Sequence, residues 1–205
     1  MSSWPSISEV FTLELVAVSI TLVAVYLTTR QVVWCWPTGM VSVVFYAVVF
    51  SQARLYADMG LQAIYFALAG YGWWVWLHGG EEHGALAVSR TSRRTGVLLL
   101  AIGVVAGFAL GRTLDRFTDA SLPLLDSTLT SFSIAAQWMQ TRKLLEAWLV
   151  WLAVDVVYVG MFVYKGLWLT AGLYAVFLYL ALLGYREWRR SMPTVAARPQ
   201  TRFAS

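Results

Sequence analysis

Seven apolar stretches, each about as long as a bilayer core is thick, follow one another along the 205 residues of the chain. A membrane-spanning helix needs roughly 20 mostly apolar residues. The stretches lie at about 9–29, 33–52, 59–78, 95–112, 121–140, 144–164 and 167–187. Charged residues make up only 13% of the chain, whereas about a quarter is usual in soluble domains. The sequence therefore predicts an all-α membrane protein with seven transmembrane helices.

The fourth and fifth stretches are the extremes of this pattern. The fourth contains the cleanest lipid-type run, at residues 97–110. The fifth is unusually polar, and its polar residues are Ser121, Asp126, Ser127, Thr128, Thr130, Ser131, Ser133 and Gln137. A soluble amphipathic helix is the alternative interpretation of that segment. Because the flanking stretches leave little room for a soluble domain, we expect it to span the membrane.

The basic residues predict how the helices are oriented. With seven spans, the first, third and fifth loops share one side of the membrane with the C-terminus, and that side carries eleven of the fifteen Lys and Arg residues. Cytoplasmic loops carry the excess of Lys and Arg, so we expect the N-terminus outside and the C-terminus in the cytoplasm. The N-terminus lacks the basic region of a signal peptide, so the first stretch should be retained. We expect a multi-pass protein of the bacterial inner membrane.

The chain resembles itself when it is shifted by 114 residues. Trp34 then falls on Trp148, and Gly70-Tyr71-x-x-Trp74 falls on Gly184-Tyr185-x-x-Trp188. Chance similarity among apolar, aromatic-rich helices is the alternative explanation. A true repeat places the site at the interface of the two copies near the membrane midplane, as in small transporters.

The repeat predicts the organisation of the whole chain. Stretches one to three (about 9–78) and five to seven (about 121–187) become two parallel triple-helix units, because the fourth (about 95–112) joins them as a single linker helix. This 3+1+3 arrangement forms one transmembrane domain over residues 1–190. The remaining residues, 191–205, are expected to be a disordered cytoplasmic tail.

Three acidic residues, Glu14, Asp126 and Asp155, lie within the predicted spans. A charge in a span costs about 2.5–3.5 kcal/mol on insertion scales and usually faces the bundle interior or an aqueous path. Asp155 lies near the middle of its span, and the aromatic residues at helical spacing on its face are Trp148, Trp151, Tyr158 and Phe162. A carboxylate among aromatic rings suits a flat, cationic heteroaromatic ligand. A structural hydrogen bond is the alternative for Asp155, and a capping or solvated role is the alternative for the other two.

Several motifs of aromatic and polar residues lie in the two halves of the chain. In the first half these are Trp34-Cys35-Trp36-Pro37-Thr38-Gly39, Gln62-x-x-Tyr65 and Tyr71-Gly72-Trp73-x-x-Trp76. In the second half they are Ala136-Gln137-Trp138, Glu146-x-Trp148-x-x-Trp151-x-x-x-Asp155, Tyr164-Lys165-Gly166-Leu167 and Gly184-Tyr185-x-x-Trp188. Taken together, these motifs resemble the bacterial nicotinamide riboside transporters, the Pnu-type vitamin transporter family, over about residues 14–190.

The resemblance implies a 3+1+3 fold related to the SWEET sugar transporters. It also implies facilitated diffusion of nicotinamide riboside, with trapping of the substrate by a cytoplasmic kinase. Thiamine and riboflavin are carried by related proteins and remain alternatives. The substrate contacts that it implies are Trp36, Gln62, Gln137, Trp148, Trp151 and Asp155.

Other classes of function fit the sequence less well. A retinal protein needs a buried lysine in its last span, and that span has none. The chain lacks the G-x-S-x-G and H-E-x-x-H motifs of hydrolases, so we expect no enzyme activity, no cofactor and no metal. His78 and His83 are interpreted as part of a solvated loop. The basic residues are scattered in short clusters, which disfavours nucleic-acid binding. A non-transporting membrane subunit is the remaining alternative, and a homo-oligomer is compatible with the sequence.

Overall fold

The computed structural model describes residues 7–52, 56–80, 84–117 and 122–192. Within these residues it contains seven α-helices, which confirms the all-α prediction. Their bounds are α1 Ile7–Thr29, α2 Cys35–Gln52, α3 Tyr56–His78, α4 Arg93–Phe117, α5 Pro123–Thr141, α6 Ala147–Tyr164 and α7 Trp168–Ser191. The predicted tail, after its first two residues, lies outside the described part of the chain.

The helices differ in how strongly they favour lipid. By length and hydropathy alone, α4, α6 and α7 could each cross a membrane, and α1 and α2 contain shorter apolar stretches at Leu15–Thr29 and Cys35–Ser51. Helix α5 is the polar fifth stretch of the sequence, and it packs against α3, α4 and α6. Several of its hydroxyl groups bond within the helix: Ser133, for example, donates to the carbonyl of Leu129, four residues earlier, at 2.8 Å. Helix α5 is therefore an integral part of the bundle and not a separate amphipathic helix.

Six of the helices form a closed ring. Each packs against the next in the order α1, α2, α3, α5, α6, α7, and α7 returns to α1. Helix α4 packs on α5 and stays outside the ring. The ring therefore has two places where the first three helices meet the last three, one between α3 and α5 and the other between α7 and α1.

Helix α4 lies close to α5 because it presents a stripe of glycines. Gly103, Gly107 and Gly111, at every fourth position, are the buried residues of this helix. A Cβ atom at Gly107 would lie 2.8 Å from the Cα atom of Thr128 on α5, so only glycine permits this approach. Small residues at such a spacing are typical of helices that associate in membranes, where close packing replaces the hydrophobic driving force.

The two halves of the ring contain matching tryptophan–glycine contacts. A Cβ atom at Gly72 of α3 would lie 2.5 Å from the ring of Trp36, and one at Gly184 of α7 would lie 2.5 Å from the ring of Trp148. We call the shift that matches Trp36 with Trp148 and Gly72 with Gly184 the structural register. It is two residues shorter than the shift expected from the sequence. The expected shift was therefore wrong: Trp34, which it matched to the buried Trp148, is 65% exposed.

The two places where the halves meet are held by matching hydrogen bonds. The indole of Trp76 on α3 donates to the carbonyl of Gln140 on α5 at 3.0 Å. The indole of Trp188 on α7 donates to the carbonyl of Thr28 on α1 at 2.9 Å. The structural register relates both the two donors and the two acceptors. The residues after these acceptors turn in the same way, because Gln31 and Lys143 both have positive φ angles, of 57° and 47°.

Candidate functional site

Four buried tryptophans fill the interior of the ring at one end. Trp36 and Trp148 lie at the start of α2 and α6, and Trp76 and Trp188 lie near the end of α3 and α7. Their rings form a chain of edge contacts, with centroid distances of 5.3 Å from Trp36 to Trp76, 5.8 Å from Trp76 to Trp188 and 5.3 Å from Trp188 to Trp148. We call these four residues the tryptophan cluster. It closes this end of the ring in the described structure.

The connecting segments 30–34, 84–92 and 142–146 meet at the same end. We call it the basic end, because each of these segments contains Arg or Lys. Segment 84–92 lies across it as a strap. The amide of Leu86 donates to the carbonyl of Trp76 at 3.2 Å, and Ser89 exchanges backbone hydrogen bonds with residues 143 and 145. The amide of Thr91 donates to the Glu146 carboxylate at 2.7 Å. The strap is therefore fixed to both halves of the ring.

Lys143 lies beneath this strap and is only 6% exposed. Its ammonium group donates to the carbonyl of Leu86 at 2.9 Å and lies 4.3 Å from the centroid of the Trp76 ring. Burial lowers the pKa of Lys143 below its ordinary value, and the nearby Cys35 opposes this shift. A cation is thus held next to the tryptophan cluster by a carbonyl and an aromatic face.

Tyrosines from both halves come together around Asp155, nearer the middle of the ring. Asp155 is 5% exposed and lies seven residues after Trp148 in α6, which is about 10 Å further along the helix. Tyr174 of α7 is close enough to interact electrostatically with Asp155 and with the other tyrosines. We call these residues the tyrosine cluster: Tyr46 of α2, Tyr65 of α3, Tyr158 of α6 and Tyr174 of α7.

Polar groups of α5 complete the surroundings of the tyrosine cluster. The hydroxyl of Tyr65 interacts with Ser133, and that of Tyr158 interacts with Thr130. Among the residues that the structure describes, no lysine, arginine or histidine pairs with Asp155. An acid buried among aromatic rings with hydroxyls nearby could pair with a ligand that carries its own positive charge.

The six residues predicted as substrate contacts do not form a single shell. Trp36 and Trp148 belong to the tryptophan cluster, and Trp151 packs on its edge, partly buried. Asp155 lies beside the tyrosine cluster. The other two are half-buried: Gln62 lies three residues before Tyr65, and Gln137 lies four residues after Ser133, spacings that place each on the same helix face as that neighbour.

Two of the predicted contacts carry an unsatisfied polar group. The indole nitrogens of Trp36 and Trp148 are buried and have no hydrogen-bond partner in the described part of the chain, whereas those of Trp76 and Trp188 are both bonded. Buried donors without a partner are uncommon in proteins. The structural register also relates the unbonded pair, so both halves supply an equivalent free donor.

The other two acids of the predicted spans are Asp126 and Glu14. Asp126 is exposed in the first turn of α5 and lies near Tyr158. The side chain of Glu14 lies outside the described residues, although Glu14 corresponds to Asp126 in the structural register. The predicted solvated loop at His83 is also outside the described residues.

An apolar groove of about 210 Å³ lies elsewhere, between α2 and α3. Its walls are the side chains of Met40, Val41, Val44, Phe45 and Phe66. Such a lining fits a lipid chain better than a polar solute, because it offers no hydrogen-bonding side chain. No member of the tyrosine cluster lines this groove.

Sequence reasoning missed Tyr46, Tyr174 and the burial of Lys143. The structural register would have indicated Tyr46, because it pairs Tyr46-x-x-x-Phe50 with Tyr158-x-x-x-Phe162. Tyr174 has no tyrosine counterpart in that register. Nothing in the sequence distinguishes Lys143 from the other basic loop residues, since its burial depends on the strap that covers it.

Comparison with known proteins identifies relatives over nearly the whole chain. A family model described as nicotinamide mononucleotide transporter matches residues 12–190. The nicotinamide riboside transporter PnuC of Escherichia coli strain K12 is 27% identical over 178 residues, which cover 75% of this chain and 74% of that protein. The riboflavin/roseoflavin transporter RibM of Streptomyces davaonensis is 28% identical over 188 residues, which cover 87% of each.

A solved structure shares the fold. The crystal structure of the vitamin B3 transporter PnuC superposes on this chain with a TM-score of 0.67 at 22% sequence identity. The match covers 87% of this chain and 80% of the solved chain. The seven-helix bundle is therefore an architecture already found in a membrane transporter.

Proposed function

The chain belongs to the nicotinamide mononucleotide transporter family, and from this premise we propose that it carries nicotinamide riboside across the bacterial inner membrane. The observation that carries the choice of substrate is the buried carboxylate of Asp155, which lies near Tyr158 and Tyr174 of the tyrosine cluster. Nicotinamide riboside has a pyridinium ring with a fixed positive charge. It would supply the missing countercharge and an aromatic face.

The proposed architecture is 3+1+3, with α1–α3 and α5–α7 as parallel repeats and α4 as the linker helix. It is supported by three kinds of contact that recur in the structural register: the tryptophan–glycine packing, the indole–carbonyl bonds and the positive-φ turns. A ring with α4 outside it follows naturally, since a linker helix has no counterpart in the other half.

We assign the basic end to the cytoplasm, with the N-terminus outside. Arg30, Arg142 and Lys143 lie in the two segments that connect α1 to α2 and α5 to α6 at this end. The positive-inside rule supports the assignment. The tryptophan cluster then closes the ring on its cytoplasmic side, while Asp155 lies deeper in the bundle.

The proposed substrate contacts are those that the sequence indicated, with the tyrosine cluster added. Asp155 would pair with the cationic ring. Gln62 and Gln137 would bond polar groups of the substrate near the tyrosine cluster. Trp36, Trp148 and Trp151 would meet the substrate on its way through the basic end, where the two unbonded indole N–H groups are available as donors.

Transport would proceed by alternating access without chemistry on the substrate. The two halves are neighbours in the ring between α3 and α5 and between α7 and α1, and they also touch where Trp76 meets Trp188. Rocking about the two helix pairs would separate these rings and open the tryptophan cluster. We propose facilitated diffusion, as the resemblance to the family implies. Phosphorylation of the substrate by a cytoplasmic kinase would then retain it in the cell.

Riboflavin is the second candidate substrate, because RibM matches this chain at an identity similar to that of PnuC. Riboflavin is neutral and would leave Asp155 without a countercharge. Thiamine is cationic and fits the same site. A subunit that transports nothing is the least favoured alternative, since it needs no buried acid.

Uptake into proteoliposomes tests the proposal. Labelled nicotinamide riboside, thiamine and riboflavin are offered in parallel without any ion gradient. Saturable uptake of nicotinamide riboside that stops at equal concentrations inside and outside is expected. Selective uptake of riboflavin or thiamine would overturn the substrate, and accumulation driven by a proton or sodium gradient would overturn the mechanism. Empty liposomes and liposomes with heat-unfolded protein are the controls.

A further inference from the structure

The two halves of the ring provide the same aromatic frame around the site. Tyr46 and Phe50 of α2 stack with a centroid distance of 5.9 Å, and Tyr158 and Phe162 of α6 stack with one of 5.8 Å. The structural register relates the two pairs, and they show the same arrangement. A site framed in this way has no intrinsic preference for one end of a ligand over the other.

Two substitutions between the halves remove this equivalence. The position of Asp155 in α6 is occupied by Val43 in α2, and the position of Tyr174 in α7 is occupied by Gln62 in α3. Tyr174 packs on both members of the α6 pair, at 4.7 Å from Tyr158 and 5.0 Å from Phe162. The second half therefore has an acid and an extra ring where the first half has valine and an amide.

The two halves thus offer different chemistry to the same ligand. Asp155 and Tyr174 favour a flat cation, through charge and through the face of the aromatic ring. In the first half, Gln62 and Tyr65 lie three residues apart on α3 and present an amide and a hydroxyl, which pair with hydroxyl groups. A molecule with a cationic ring at one end and hydroxyls at the other would match both.

We propose that Tyr174 and Gln62 determine the orientation of the substrate, with its cationic ring on the α6–α7 half and its hydroxylated part on the α2–α3 half. This inference rests on the proposed function, which supplies the substrate class. It gives these two positions, which correspond to each other in the structural register, a role in substrate orientation beyond substrate contact.

The test compares two ligands on the purified, full-length protein. Nicotinamide riboside has both ends. N-methylnicotinamide, here methylated at the ring nitrogen, keeps the cationic ring and lacks the sugar. Tyr174→Gln, which installs the residue of the other half, is expected to weaken both ligands by the same factor, about 2- to 30-fold for a cation–π contact of 0.5–2 kcal/mol. Gln62→Leu is expected to weaken nicotinamide riboside about 2- to 12-fold and to leave N-methylnicotinamide unchanged.

Two further variants separate binding from folding. Tyr174→Phe keeps the aromatic face and should recover, for both ligands, part of the affinity that Tyr174→Gln loses. Tyr179→Gln makes the same change on the same helix at a residue that is 64% exposed, and it should bind both ligands like the wild type. Thermal unfolding of each variant reports whether it is folded.

The outcomes distinguish the orientation from the transport function itself. Equal losses for both ligands in Gln62→Leu, or an unchanged N-methylnicotinamide affinity in Tyr174→Gln, would overturn the assigned orientation. So would a wild type that binds nicotinamide riboside but is not inhibited by N-methylnicotinamide. A wild-type protein that binds neither ligand would contradict the proposed function itself, whatever the orientation.

Discussion

The contact between Gly184 and Trp148 makes a quantitative prediction about stability. A Cβ atom at Gly184 would lie 2.5 Å from two atoms of the Trp148 ring, whereas carbon atoms pack best at about 3.5–4.0 Å. The ring has little room to retreat, because it is 1% exposed and lies against Trp188 at 5.3 Å. Overpacking of this kind costs about 1–3 kcal/mol, so Gly184→Ala should destabilise the protein by that amount.

Gly172 on the same helix provides the matched control. No atom lies within 4 Å of a Cβ built at Gly172, so Gly172→Ala should be neutral or stabilise by up to about 1 kcal/mol through its better helix propensity. Each kcal/mol shifts the melting temperature by about 2–4 °C in a chain of this size. Thermal unfolding in detergent, followed by the fluorescence of the 11 tryptophans, measures both variants.

Two results would contradict the close packing of Trp148 against Gly184. Equal melting temperatures for Gly184→Ala and Gly172→Ala would mean that the tryptophan is not packed as described. The same holds if Trp148→Phe, which shortens the ring, fails to recover part of the loss in the Gly184→Ala background. The first half offers a repetition of the test, because Gly72 faces Trp36 at the same 2.5 Å and Gly70 has no atom within 4 Å.

Three further variants test the strap, the linker helix and the closure of the ring. Burial lowers the pKa of Lys143, so the charged form of this side chain is less favourable in the folded protein than in the unfolded chain. Lys143→Met should therefore keep or raise the melting temperature at pH 7. The wild type should gain stability as the pH rises toward 10.5, the ordinary pKa of lysine. Gly107→Leu should separate α4 from α5 and lower the melting temperature, whereas Val105→Leu on the exposed face should not. Trp188→Phe removes the bond to Thr28 and leaves a gap in the buried tryptophan cluster, so it should cost more than the roughly 0.5–1.5 kcal/mol of one hydrogen bond in unfolding measurements.

Most of the helical architecture could be predicted from the sequence. The seven stretches coincide with the seven helices to within a few residues at most ends, because apolar length determines a transmembrane span. Helix α4 is the largest difference, since it continues to Phe117 beyond the predicted end at Arg112. The polar residues that end the apolar run, Arg112 and Asp115, do not end the helix, which needs only continued backbone hydrogen bonds.

The repeat register could have been found but was missed by two residues. The shift expected from the sequence aligned Gly70-Tyr71 with Gly184-Tyr185, a local identity with no equivalent contact in the described structure. The structural register aligns Trp36 with Trp148 and Gly72 with Gly184, and these residues touch in both halves. Sequence identity alone cannot rank the two shifts, because only the contact shows that the tryptophan and the glycine depend on each other.

The site was predicted in part. Asp155 was recognisable as an acid in the middle of an apolar helix, and the structure places it near Tyr158 and Tyr174, two members of the tyrosine cluster. The contributions of Tyr46 and Tyr174 depend on which helices are neighbours in the ring. The spacing of residues within one helix does not predict which helices are neighbours. The division of the predicted contacts between two clusters, with Trp148 about 10 Å from Asp155 along α6, has the same origin.

The role of Asp155 in binding a cation is tested most directly by the effect of Asp155→Asn on two forms of one ligand. Nicotinamide riboside is cationic, and its reduced form has nearly the same shape without the charge. The variant preserves volume and should lose about 12- to 160-fold in affinity for the cation, as expected for a charged partner that contributes about 1.5–3 kcal/mol. Its affinity for the reduced form should change little. Equal losses for both forms would show that Asp155 has a structural role and would contradict the proposed site.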